Sequence, residues 1–480
     1  MLFNSIQFLI FFPLVVTIYF VIPNRYRWIL LLGASYYFYM SWKPEYLVLI
    51  LVSTLVDYYA GLQMGKTDDK SKLRKFLILS LCSNLGILFA FKYFNFFNDS
   101  LRAIFNQFNV FYNVPAFDVL LPVGISFYTF QTLSYTIDIY RGQREPETHL
   151  GIFALYVSFF PQLVAGPIER STRLLPQFYK QHSFDYQRLT DGLQLMAWGF
   201  FKKLVIADRL AVVVNNVYNN PTEYTGVPLI MATYFFAFQI YCDFSGYSDI
   251  AIGAAQIMGI DLMENFKRPY FSKSIGEFWR RWHISLSTWF RDYLYVPLGG
   301  NRVVKWRWYY NLMIVFLVSG LWHGANWTFV VWGALHGFYL LVSLWTAGIG
   351  VKVQNFLRLG QFPMFRKALQ IIVTFHLVTF AWIFFRANSI SDAFYIVSHL
   401  FSGLELKAGY GIGVGVYELG LALLMILLME LIHLIQRQGS VRQFIAEKPV
   451  WIRWSAYYAL ASCILVFGKF GITEFIYFQF

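Results

Sequence analysis

Long apolar runs recur along this chain, each roughly 15–20 residues and parted from the next by a short basic loop; this constrains its fold more than any other feature. Such a run approaches the ~20 residues that a helix needs to cross the hydrocarbon of a bilayer. In lipid a helix satisfies its own backbone N–H and C=O groups, so runs of this kind imply an all-α polytopic membrane protein. Composition agrees: 58% of the 480 residues are hydrophobic, 21% aromatic and 14% charged. Soluble domains lie nearer ~45–50% apolar and ~25% charged.

The net charge of +13 could signal nucleic acid or topology. No basic domain with interleaved polar surface is present, so nucleic-acid binding is excluded as a reading. Lys and Arg instead fall in the loops between apolar runs, as in the cytoplasmic loops of membrane proteins. The first cation is Arg25, so Ile6–Ile22 lacks the charged start of a cleaved leader and reads as a retained membrane helix. The three cysteines, Cys82, Cys242 and Cys463, form no CxxC pair, and neither a disulfide framework nor a metal site is expected.

The first runs are Ile6–Ile22, Trp28–Trp42, Tyr46–Met64 and Phe76–Phe97. If each crosses once, the basic loops at Arg25–Arg27 and Gly65–Lys75 share the cytoplasmic side and the N-terminus lies outside. Asn98–Asp118 is then an outer segment. The run VLLPVGISFYTFQTLSYTIDIYRG carries Ser126, Thr129, Gln131, Thr132, Ser134 and Thr136, so it either lines a cavity or hydrogen-bonds to other helices. FFPQLVAGPIER reads as a helix break with Gln162 and Glu169 turned inward. WGFFKKLVIADRL resembles an interfacial helix whose Lys202 and Lys203 reach out to headgroups.

FFAFQIYCDFSGYSDIAIGAAQIMG holds Asp243, Ser245 and Asp249 in an apolar setting. Intramembrane carboxylates mark a pathway or a specific partner. Structural pairing with an Arg, or capping of a break, is the other reading. NFKRPYFSKSIGEFWRRW is basic and aromatic and belongs at the cytoplasmic face. The runs Trp308–Leu321 and Trp327–Thr346 lie between two basic segments, which predicts a hairpin turning at Trp322–Asn326. Ala368–Arg386, an outer segment Asn388–Gly411, Ile412–Ile435, a basic loop Arg437–Arg453 and a last run from Tyr457 complete the chain. The aromatic tail KFGITEFIYFQF is expected at the outer interface. Roughly 11 crossings result, with broken or re-entrant helices, and the chain reads as one domain over 1–480 with its core at about 120–340.

Histidine is the side chain best suited to proton exchange near neutral pH. Of the eight, His149 and His182 sit in polar segments, while His336, His376, His399 and His433 read as packing residues in apolar runs. His323 differs. Gly320, Gly324 and Asn326 surround it, and Trp322 and Trp327 could wall a narrow channel. His283 follows Arg280 and Arg281 and precedes Ser285, Ser287 and Thr288. HExxH zinc sets, phosphate loops and GxSxG elbows do not occur. On residues alone, this is a membrane-embedded histidine site without a stated reaction.

FWRRWHISLSTWFRDYLYVPLGG followed by SGLWHGANWTFVVWGALHG resembles the membrane-bound O-acyltransferase family, in its bacterial alginate O-acetylation branch. LLPVGISFYTFQ, FFPQLVAGPIER, YCDFSGYSDIAIG, NFKRPY, FFRA and FIYFQF extend the resemblance over nearly the whole chain. It implies helices around a central tunnel, with His323 as catalytic histidine and His283 as its partner, which either orients it or holds the carbonyl or donor. No bound cofactor is implied; the donor is an acyl thioester such as acetyl-CoA, entering from the cytosol. The implied acceptor is a hydroxyl of an extracytoplasmic polysaccharide, with help from a periplasmic or cell-surface acetyltransferase partner. The implied setting is a bacterial cytoplasmic membrane.

Lys267, Arg268, Arg280, Arg281 and Arg291 are then donor-phosphate candidates by charge and side, against an ordinary topological role for each. Trp322, Asn326, Asp243, Ser245 and Asp249 are tunnel-lining candidates. A polysaccharide-export scaffold or a transporter is the rival class, distinguished by needing no acyl donor.

Overall fold

A computed structural model describes residues 1–117, 121–356, 358, 360–404, 411–437, 441–471, 475 and 476. Among these residues all regular structure is helical. Among the described residues, seven helical stretches are long and apolar enough to cross a bilayer: Pro44–Met64, Lys70–Gln107, Val227–Ile257, Trp327–Trp345, Pro363–Arg386, Val416–Ile435 and Val450–Phe467. Ile6–Val21 is a shorter apolar helix. The protein is a multi-pass, all-α membrane protein.

The chain forms two compact units. The first comprises Met1–Met196 and Tyr247–Met263. It contains α1 (Ile6–Val21), α2 (Asn24–Met40), α3 (Leu47–Met64), α4 (Lys70–Leu88), α5 (Phe94–Gln107), α6 (Ile125–Tyr140), α7 (Leu150–Ser158) and α8 (Ser171–Tyr179). The polar residues of α6 are buried, and Gln131, Thr132 and Thr136 bind neighbouring helices. Thr132 donates to Asn84 Oδ1 at 3.3 Å, and Ser80 on α4 donates to Thr136 at 2.9 Å and to buried Asp57 on α3 at 2.5 Å. Asn84 Nδ2 also donates to both oxygens of Asp57, at 3.0 and 2.9 Å. These residues therefore serve as hydrogen-bonded glue, which lipid-facing positions could not supply. The break after α7 is buried as expected: Gln162 donates to the Tyr156 carbonyl at 3.0 Å, and Glu169 accepts from the Met263 N–H.

The second unit comprises Ala197–Gly246 and Glu264–Ile476. α9 (Tyr186–Phe200) and α11 (Val227–Ile257) divide between the units, and α10 (Asp208–Asn219) lies in the second. A π-helical stretch, Phe201–Ala207, joins α9 to α10. There follow α12 (Ile275–Trp279), α13 (Ile284–Phe290), α14 (Lys305–His323), α15 (Trp327–Trp345), α16 (Ala347–Phe356), α17 (Pro363–Arg386), α18 (Ile390–His399), α19 (Val416–Ile435), α20 (Val441–Ala446) and α21 (Val450–Phe467).

Two sequence expectations need correction in this unit. Lys202 and Lys203 do not reach headgroups: both are buried, at 3% and 1% exposure. Lys203 pairs with Asp208 at 2.9 Å and Asp243 at 2.5 Å, and Lys202 donates to Ser245 at 2.9 Å. Carboxylates and a hydroxyl on adjacent elements compensate the cations inside the protein, so they have no need of the interface. The aromatic tail is divided: Phe470 is exposed, as expected of an interfacial residue, whereas Phe475 and Ile476 are buried. Ile476 N–H donates to Asp243 at 2.5 Å, and Lys203 Nζ lies 4.3 Å from the Phe475 ring centre. Residues 472–474 and 477–480 of the tail, 118 and 405–410 of the expected outer segments and 438–440 of the expected basic loop lie outside the described residues. The last helix starts at Val450, after Pro449, rather than at Tyr457.

The expected hairpin is α14 and α15, turning at Gly324–Asn326. It closes through two glycines. A methyl group at Gly320 would collide with the Phe329 carbonyl oxygen, and one at Gly333 with that of Phe316. The two helices thus approach backbone to backbone, the small-residue contact that replaces hydrophobic driving force in a membrane. Gly333→Ala should lower the thermal midpoint of the detergent-purified protein, by an overpacking cost of about 1–3 kcal/mol. Gly86→Ala is the control, since nothing lies within 4 Å of a Cβ there. Equal midpoints for the two variants would refute the close-packing account.

Candidate active site

The second unit brings His283 and His323 together, with ring centres 6.2 Å apart and exposures of 0% and 3%. His323 is the last residue of α14, where the helix stops at the extended Gly324. Asn326 restarts the chain as α15 by capping it: its Oδ1 accepts from Thr328 N–H at 3.0 Å. Three aromatic rings hold the imidazole: Trp322 at 4.9 Å, Trp332 at 5.0 Å and Phe385 at 5.4 Å. Trp332 in turn stacks on Trp382 at 5.6 Å, which meets Trp282 at 5.1 Å.

His283 caps α13 with a left-handed backbone, φ 44°. That conformation costs a non-glycine residue about 1–3 kcal/mol and persists only where the surroundings enforce it. Asn265 enforces it here. Its carbonyl accepts from Ile284 N–H at 3.0 Å, and its Oδ1 accepts from Ser285 N–H at 3.2 Å and Ser285 Oγ at 2.9 Å. The His283 ring packs edge-on to Phe244 at 4.6 Å and faces Trp322 at 5.9 Å.

A cavity of about 360 Å³ opens in the same unit, lined by Trp279, Arg280, Leu286, Phe290, Arg291, Phe316 and Ser319 among others. Arg280 and Arg291 are exposed, and the remaining named walls are apolar except Ser319. Ser319 precedes His323 by about one turn of α14, and Leu286 lies on the helix that His283 caps. Sequence reasoning named the two arginines but missed the walls, because Trp279 and Phe316 look like ordinary packing residues in an aromatic chain.

The other donor candidates are dispersed. Arg281 pairs with Glu277 at 2.6 Å. Burial alone would raise the Glu277 carboxyl, but the Lys273 N–H and Arg281 outweigh it and hold the acid below its usual range. Lys267 is exposed and lies 3.4 Å from Glu264; Arg268 is half-buried with φ 49°. Of the tunnel candidates, Trp322 touches both histidines, and Asn326 forms the turn beside His323. Asp243 and Ser245 flank Phe244, but their side chains bind Lys203 and Lys202. The structural pairing weighed for Asp243 is present, with lysine rather than arginine. Asp249 is half-buried in the first unit. His336 accepts from Trp279 Nε1 at 3.2 Å, and His433 lies 3.3 Å from Tyr241 Oη, as packing histidines with partners.

The described residues thus combine an all-helical architecture, two buried histidines at a helix break, and a cavity walled in part by Ser319 and Leu286 from the same two helices. The pattern of the membrane-bound O-acyltransferase family matches residues 40–390, and the chain belongs to that family. It is 42% identical to a probable alginate O-acetylase of Azotobacter vinelandii, across 84% of this chain and 78% of that protein. A peptidoglycan O-acetyltransferase of Helicobacter pylori is 36% identical, covering 76% and 72%. A teichoic acid D-alanyltransferase of Bacillus subtilis is 29% identical, covering 57% and 71%. The protein is a membrane O-acyltransferase.

The Lys203 cluster supports the helices around this site, and removing one member strands the others. Lys203→Met leaves Asp208 and Asp243 as buried like charges and should destabilise the protein by about 3–5 kcal/mol. The check is thermal unfolding in detergent, where a midpoint equal to wild type would show the cluster to be dispensable.

Proposed function

We propose that the protein transfers an acetyl group from a cytosolic thioester, acetyl-CoA in the simplest case, to a hydroxyl of an extracytoplasmic polysaccharide. The observation that carries this reading is the buried His283–His323 pair together with a cavity lined by exposed Arg280 and Arg291 and by Ser319 and Leu286 of the same two helices. Guanidinium groups suit the phosphates of a coenzyme A donor, and an apolar wall suits its thioester arm. Neutral His323 takes the proton of the acceptor hydroxyl as that oxygen attacks the thioester carbonyl carbon. The C–S bond then breaks, and the thiolate leaves with the proton returned from His323. His283, braced by Asn265, orients His323 or holds the carbonyl oxygen.

The relatives' names, covering alginate, peptidoglycan and teichoic acid, support a cell-envelope polymer as acceptor. The basic loops support a bacterial cytoplasmic membrane with the N-terminus outside, and transfer across it suits a periplasmic or surface partner that receives or positions the acyl group.

His323→Ala should lower acetyl transfer by about 10²–10⁴-fold, the usual contribution of a general base. The readout is labelled acetyl on polymer from cells or a reconstituted system; unchanged labelling would favour an export scaffold and sink this proposal. Arg280→Gln with Arg291→Gln should raise the KM for acetyl-CoA while leaving that for acetyl-N-acetylcysteamine, a thioester without phosphates, unchanged. A KM rise for both donors would remove the phosphate-binding role.

A further inference from the structure

We infer that Arg386 and the amides around it bind an anionic group, carboxylate or phosphate, on the acceptor chain. The word acceptor rests on the acyl-transfer reading above; the recognition of negative charge does not. Arg386 is the arginine of the FFRA stretch and the last residue of α17. Its neighbour Phe385 packs 5.4 Å from His323. Two residues further on, the Asn388 carbonyl accepts from Asn326 Nδ2 at 3.3 Å. The arginine is therefore tied from two directions to the helix break that carries His323.

Side-chain amides hold the guanidinium. Nη1 donates to Asn388 Oδ1 at 3.2 Å, and Nη2 donates to Asn215 Oδ1 at 2.9 Å and Asn219 Oδ1 at 3.1 Å. The group also lies over the Tyr218 ring at 5.5 Å. All these partners are neutral. Other arginines are paired with carboxylates, as Arg209 with Glu418, Arg281 with Glu277 and Arg173 with Asp261, while Arg27 has a backbone carbonyl and two aromatic rings; the array of three side-chain amides is particular to Arg386 among the described residues. Amides fix the direction of the fork without cancelling its charge, and arginine cannot shed that charge. A directed, uncancelled guanidinium makes its strongest bonds to carboxylate or phosphate.

Asn215, Asn219 and Asn388 are exposed, so the site is reachable, and planar amides add donors and acceptors for sugar hydroxyls. The ordinary explanations are weaker here. Positive-inside topology accounts for Lys352, Arg366 and Lys367 at or before the start of α17, but Arg386 ends that same 24-residue helix at the far side. Complementing the helix dipole at a C-terminus would suit lysine equally and needs no array of three oriented amides.

The test is isothermal titration of the detergent-purified full chain with a polyuronate oligomer, a neutral glucan of equal length, and inorganic phosphate as competitor. Wild type should bind the polyuronate in a salt-sensitive way and not the glucan. Arg386→Gln should weaken binding by about tenfold or more, and Arg386→Lys by less. Asn388→Asp places a carboxylate against the guanidinium and should abolish binding; because Asn388 Nδ2 also donates to the Tyr218 carbonyl and Asn219 Oδ1, both at 3.4 Å, the thermal midpoint is measured alongside, and Asn215→Asp, whose side chain serves Arg386 as acceptor, should abolish binding in the same way. Equal affinity in wild type and either Arg386→Gln or Asn388→Asp would overturn the proposal, as would equal binding of the glucan. Displacement by phosphate supports a site shared by both anions, and its failure supports a carboxylate site. The titration is repeated in His323→Ala, where binding should persist. If His323→Ala also leaves acetyl transfer intact, the acyl-transfer reading fails while the anion site stands.

Discussion

The backbone contact between α14 and α15 across Gly320 and Gly333 is the constraint on which the site depends. Any Cβ at either glycine meets a carbonyl oxygen of the facing helix, so side chains cannot hold the helices apart. This closeness brings Trp332 onto His323 and, through Trp382, links the hairpin to Trp282 beside His283. The break at Gly324 then lets α14 end with its final side chain inside the protein rather than in lipid. On the proposed reading of His323 as a general base, fixed geometry of this kind matters, because proton transfer tolerates little misplacement of the reacting atoms.

The protein keeps cations within its helical body in two ways, and the difference is chemical. Lys203 is surrounded by Asp208, Asp243 and the Phe475 ring, so its charge is cancelled where it sits. Burying such a group without partners would cost several kcal/mol per ion, and the C-terminal segment contributes by lending Ile476 N–H to Asp243. Arg386 is oriented by amides and keeps its charge. The first arrangement serves packing; the second leaves an electrostatic demand for something else to meet.

Much of the fold was legible in the sequence because lipid imposes a simple rule on apolar runs. The helices at Ile6–Val21, Leu47–Met64 and Val416–Ile435, the buried break at Phe159–Arg170 and the α14–α15 hairpin all follow from run length, glycine and proline positions, and basic loops. The pairing of His283 with His323 was legible only through resemblance, since nothing local to either residue names the other. Lys202 and Lys203 were misjudged for the same physical reason. Hydropathy reports that a cation lies beside apolar residues, but its compensation by Asp243 comes from a helix distant in sequence. The Lys203–Asp208 spacing within a π-helical stretch was the local signal available, and an α-helical periodicity hides it.

A thioester must meet an alcohol in the proposed reaction without meeting water first. Many soluble enzymes exclude water by closing a lid, whereas here aromatic walls already stand around the histidines: Trp322, Trp332 and Phe385 surround His323, and Phe244 packs on His283. On the proposed reading, the cavity lined by Arg280 and Arg291 and the amide-bound Arg386 are separate approaches, each beginning with a cation and each linked to α14 or the turn after it, through Ser319 or through Phe385 and Asn326. On that reading, only the small acyl group and one hydroxyl need enter the dry interior. The charged bodies of donor and acceptor stay outside it, which is how a histidine within a hydrophobic wall can serve two strongly hydrated substrates.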